Sequence, residues 1–125
     1  MNVALWVAQG LLAAAFVMAG VLKTTRSREQ LMEAGLAWVE DFTLPQVRTI
    51  GALELLGGIG VVLPGIIDVA PDVVGYAAGG LALTMLGALA THAKRRDPAA
   101  AFIPGLVLLA LAVFVAAGRL GFEQL

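Results

Sequence analysis

Cysteine is absent from the 125 residues, which excludes disulfides, thiolate metal sites and any dithiol relay within the chain. Charge is scarce: Asp, Glu, Lys and Arg make up 14% of the residues against 60% apolar. A soluble protein of that make-up would be a core with almost no surface. There is one histidine, and with a few scattered carboxylates it makes no recognisable metal site. No phosphate-cradling loop and no nucleophile elbow occurs. Net charge is −1, and neither a nucleic-acid partner nor a covalent cofactor is expected.

What the chain does have is apolar length. Four runs, residues 3–22, about 47–67, 73–91 and about 99–120, each approach the roughly 20 residues that cross a bilayer as helix. They predict an all-α, polytopic membrane protein: a four-transmembrane-helix bundle forming one domain over residues 1–125. The first run lacks a basic leader and a small-residue cleavage site, so it reads as a retained span. Lys23, Arg26, Arg28 and Arg48 flank the first connection and Lys94, Arg95 and Arg96 the third, whereas the second carries only Asp68 and Asp72. By the positive-inside rule the first and third connections face the cytoplasm and both termini face out, in a multi-pass protein of the cell membrane.

The first connection is too long for a turn. Ser27 and Gln30 fit a capping box, after which Glu29, Glu33 and Glu40 fall on one side at helical spacing and Leu31, Gly35, Trp38 and Phe42 on the other. This predicts an amphipathic interfacial helix over 27–42, lying on the membrane or folded over the mouth of the bundle as a lid. Its acidic face suits Lys94, Arg95 and Arg96, a cytoplasmic protein partner, or plain solvation better than anionic lipid. Pro45 opens the second span and Pro64-Gly65 is read as its end.

The costliest residue is Glu54, a carboxylic acid about two turns inside the second run. An acid near the centre of a spanning helix costs roughly 2.5–3.5 kcal/mol on insertion scales, so it faces protein or a wet cavity. Gly51 and Gly58 lie on its face of the helix and offer a groove in which something packs or binds. Lys23, Arg48 and His92 fall in the same half of the membrane. Lys23 or Arg48 would neutralise Glu54, although Lys23 alone could equally snorkel to the headgroups. His92 would supply a group that exchanges a proton near neutral pH, and Thr84 shares its stripe two turns away. Arg119 is expected to snorkel at the outer surface, or to pair with Asp68 or Asp72.

Gly20-Val-Leu-Lys23, the stretch from Gly51 through Glu54 and Gly57 to Pro64, His92 closing the third span and Arg119 closing the fourth together resemble the DoxX-like family of small four-helix bacterial membrane proteins. The segment Gly35 to Phe42 resembles that family's first connection. The resemblance implies a membrane part of a redox or thiol-stress assembly. Cysteine chemistry cannot be carried over to a chain without cysteine, so electron transfer would need a bound quinone or a partner's cofactor.

Three classes of function follow. One is an accessory subunit binding an apolar small molecule, quinone or lipid-like, with Lys23, Trp38, Arg48, Gly51, Glu54, Gly58, Thr84 and His92 as candidate ligand-binding residues. Another is a small membrane enzyme, an isomerase or cyclase, using Glu54 and His92 as acid and base. The third is a structural bundle with no ligand. The Gly and Ala seams exceed what four helices need internally, which points to a homo-oligomer.

Overall fold

The computed structural model describes residues 1–125, and four of its helical stretches, Asn2–Thr25, Leu44–Ile67, Val73–Arg95 and Ala99–Phe122, are long and apolar enough to cross a membrane. Helix α1 (Asn2–Thr25) turns Leu5, Ala8, Gln9, Leu12, Phe16, Gly20 and Lys23 inward. Apart from the neighbours Ala8 and Gln9, the series advances by three and four, the signature of one buried helical face. Helix α3 (Leu44–Gly60) buries Val47, Gly51, Glu54 and Gly58 in the same rhythm. Helix α5 (Val73–Arg95) buries Val74, Gly75, Ala78, Leu81 and Met85, and α6 (Ile103–Ala117) buries Ala112 and Val115. The principal packing is of α1 on α3 and of α5 on α6, with α1 against α6 and α3 against α5 closing the ring. Phe16, Val61, Ala78, Leu81 and Val115 lie at its centre.

The α1–α3 contact is made by glycine. A Cβ on Gly20 would stand 2.6 Å from the Gly51 carbonyl oxygen, and one on Gly51 would stand 2.6 Å from the Lys23 Cβ. Small residues at those positions let the backbones meet.

The connection between the first two spans departs from the expected single helix over 27–42. The capping box is present, with Ser27 accepting from the Gln30 backbone and the Gln30 side chain accepting from the Ser27 backbone. However, α2 (Arg28–Glu33) ends after six residues. Gly35 sits at φ 96°, its N–H donates to the Met32 carbonyl, and the Leu36 N–H reaches back to Leu31 at 3.1 Å. That pair of bonds is a Schellman stop, which needs a left-handed residue and finds glycine. A 3-10 turn, Ala37–Asp41, follows. Leu31, Val39 and Val47 pin both pieces to α3, and Arg28 donates to the carbonyls of Val39 and Phe42.

The second span also differs from expectation. Pro64 does not end it but starts a further turn, α4 (Leu63–Ile67), after a break at Val61–Val62. Proline lacks an N–H and its ring clashes with the carbonyl four residues back, so the break falls just before it. The Val61 carbonyl is taken up by the Gln9 side chain at 2.7 Å.

Arg119 is not a snorkelling residue. It is 3% exposed, in a π turn at Gly118–Phe122, and donates to Gln9 Oε1 at 2.7 Å, Asn2 Oδ1 at 2.8 Å and the Glu123 carbonyl at 2.9 Å. The Trp6 ring lies 5.4 Å from its guanidinium carbon. Neither Asp68 nor Asp72 is its partner, because neutral oxygens already on α1 lie closer to hand.

Candidate functional site

At the opposite end of the bundle from Arg119 the four long helices and the 3-10 turn line a partly open cavity of about 640 Å³. Its walls are mostly apolar, with Ala15, Phe16 and Ala19 from α1, Leu53 from α3, Met85 and Ala88 from α5, and Leu108 from α6. Into this apolar space the chain places one ion pair. Lys23 Nζ donates to Glu54 Oε1 at 2.7 Å, with Lys23 7% and Glu54 2% exposed. Lys23 therefore turns inward to the acid instead of outward to headgroups. The close approach at Gly20 and Gly51 accounts for this: the Lys23 Cβ lies directly over Gly51, which puts Glu54, one turn further along α3, within reach of its ammonium. The Trp38 ring lies 5.6 Å from the ammonium and stands edge-on to Phe42, so the connection roofs the pair with aromatic surface.

His92 lines the same cavity from the end of α5. Its Nδ1 lies 2.7 Å from Asp97 Oδ2. The pairing comes from a second Schellman stop: Arg96 is left-handed at φ 57°, its N–H donates to the Ala93 carbonyl, and the Asp97 N–H reaches the His92 carbonyl at 3.0 Å. That motif folds the residue two beyond the stop over the last full turn, which sets Asp97 on His92. A carboxylate only accepts, so Nδ1 carries the hydrogen and Nε2 of the neutral ring is an acceptor. Arg95 ties the roof down, with Nη1 on Asp41 at 2.6 Å, Nη2 on Glu40 at 3.1 Å and Nε on Asp97 at 3.4 Å. Of the basic run at 94–96 only Arg95 engages the acidic face. Lys94 and Arg96 are exposed, as are Glu29 and Glu33.

The hydrogen bond from His92, helped by the charge of Arg95 and opposed by partial burial, holds the Asp97 carboxyl below the usual carboxylate range. A carboxyl whose folded pKa is lowered stabilises the fold above its unfolded pKa of about 3.9 and loses that contribution as pH falls through the lowered value. In a carbon-detected NMR titration the Asp97 midpoint is expected to rise in His92→Leu. An unmoved midpoint would show that the imidazole is not the cause.

Of the candidate ligand-binding residues, Lys23, Trp38, Glu54, Thr84 and His92 line this one cavity. Three do not. Arg48 donates to the carbonyls of Lys23 and Arg26 at 2.8 and 2.6 Å and so caps the end of α1. Gly51 and Gly58 lie against α1, where a Cβ would meet Lys23 and Val17. Thr84 reaches the cavity, yet its hydroxyl is spent on the Gly80 carbonyl of its own helix. Asp97 and Phe42 belong to the site and were not singled out as site residues by sequence. The signal for Asp97 was a carboxylate five residues after the only histidine and just before a proline, where helices stop. No three His, Asp or Glu side chains come together as a metal-binding group.

Among protein families, the one described as the DoxX-like family matches residues 7–115. No curated protein and no solved structure matches the chain.

Proposed function

We propose a binding role for this chain, which belongs to the DoxX-like family and is a multi-pass membrane protein: it holds an apolar small molecule, quinone or lipid-like, in the cavity beneath the 3-10 turn. The observation that carries this is a cavity of about 640 Å³, apolar but for one ion pair, one oriented imidazole and two threonines whose hydroxyls bond their own helix. Ligand sites fall at roughly 300–1,000 Å³ with a few convergent polar groups on apolar walls. A bundle that needed Lys23 and Glu54 only for packing would close around them. The role fits an accessory subunit of a membrane redox or stress assembly, docking a cytoplasmic partner through the acidic connection. The charge asymmetry of the connections supports both termini outside the cell membrane. Gly79 and Gly80 of α5, with no neighbour where a Cβ would stand, support a second copy against that face.

An enzymatic reading is favoured by one observation, the Asp97 to His92 bond that orients an imidazole beside a carboxylate-lined cavity. In it Glu54 and His92 serve as acid and base, with Lys23 holding the carboxylate in place.

Native mass spectrometry and organic extraction of protein purified in mild detergent test the binding role. A small molecule is expected to accompany the wild type and to be lost from Thr84→Trp, which fills the cavity from α5 and leaves both members of the ion pair in the chain. Equal occupancy of the two proteins, or an empty wild type, would sink the proposal. Turnover by the extracted molecule's chemical class, abolished in His92→Leu, would move the assignment to the enzymatic reading.

A further inference from the structure

The polar groups left over in the cavity say which kind of molecule it takes. Glu54 spends Oε1 on Lys23 and Oε2 on nothing in the protein. Among buried side-chain nitrogens and oxygens only Arg119 Nη2 is both sealed off and unpartnered, so Glu54 Oε2 keeps an opening. The space its side chain borders is the cavity. Lys23 has three N–H groups. One is given to Glu54 and the face of Trp38 stands near the ammonium, which leaves a donor free. An unused acceptor and an unused donor thus lie side by side on one ion pair.

The charge of the pair sums to zero. A carboxylate head brought to it would leave a net negative charge in an apolar space, and an ammonium head a net positive one. Either costs several kcal/mol unless it sheds its charge. A neutral head that both donates and accepts meets both free groups and leaves the balance intact.

We infer that the cavity selects a lipophile bearing a neutral hydroxyl, an alcohol or a phenol, whose O–H donates to Glu54 and whose oxygen accepts from Lys23. This rests on the binding role proposed above and narrows it to a chemical class. His92, which lines the same cavity with its Nδ1 held by Asp97, is a second station at which the neutral ring has Nε2 left to accept a further donor from the molecule.

The test is competition at pH 7 in nanodiscs among dodecanol, dodecanoate and dodecylammonium for a photoreactive dodecanol analogue, scored on peptides that contain Met85 and Leu108. The alcohol is expected to compete about tenfold better than either ion, because tenfold is only about 1.4 kcal/mol of a penalty several times larger. The preference should change sign with the charge of the site: Lys23→Met, which leaves Glu54 alone, should take the ammonium best, and Glu54→Gln should take the carboxylate best. Lys23→Met with Glu54→Gln keeps the balance at zero and should rank the alcohol first if either single variant fails to fold. A wild type that ranks an ion first, or single variants that fold and keep the alcohol first, overturns the hydroxyl assignment and leaves the binding role standing. Labelling that none of the three displaces overturns both.

Discussion

Glu54→Gln is expected to lower the stability of the detergent-solubilised protein by about 3–5 kcal/mol, the cost of leaving Lys23 buried without its carboxylate. Lys23 is 7% exposed and the acceptor of its ammonium is that single oxygen at 2.7 Å. Lys23→Met should cost a similar amount, because the carboxylate of Glu54, a residue 2% exposed, is then the orphan. The double replacement should recover most of either loss, since a buried pair exchanged for uncharged groups of like volume is often near neutral. Denaturant unfolding of the four proteins gives the coupling directly. Single losses below about 1 kcal/mol, the range of exposed pairs, would mean that water reaches the charges in the membrane.

The other large effect is steric. Gly20→Val is expected to cost about 1–3 kcal/mol or more, as overpacking does when the obstacle cannot move. A Cβ there meets the Gly51 carbonyl oxygen at 2.6 Å and the Leu55 backbone nitrogen at 2.7 Å. Backbone does not rotate away, so α1 must stand off from α3. The ion pair straddles that contact, and the variant should lose the co-purifying molecule together with its stability. Gly10→Ala on the same helix is the control. Nothing lies within 4 Å of its Cβ, and a change within roughly 0.5 kcal/mol is expected. Equal effects at the two glycines would remove the close contact as the explanation.

The four spans were legible because apolar length is a one-dimensional property. Glu54 was legible for a related reason, since an acid inside such a length announces its own cost. The direction of Lys23 was not. A lysine at a span end reaches headgroups or the interior according to how closely the neighbouring helix approaches, and that distance is set by glycines on two different helices. The break at Gly35 was masked by periodicity: the 3-10 turn sets Trp38 and Phe42 towards the same cavity that a continuous helix would have faced. The left-handed stop at Arg96, which carries Asp97 onto His92, had no glycine to mark it. Gln9 was not legible, because a carboxamide carries no charge and its partners lie 52 and 110 positions away.

That last separation bears on how the protein is made. The oxygen of Gln9 waits for a guanidinium that leaves the ribosome 110 residues later, after three of the four helices have been synthesised. Before Val61 is made neither end of that carboxamide has its native partner, and between Val61 and Arg119 only its nitrogen does. Threading of the fourth helix completes the first.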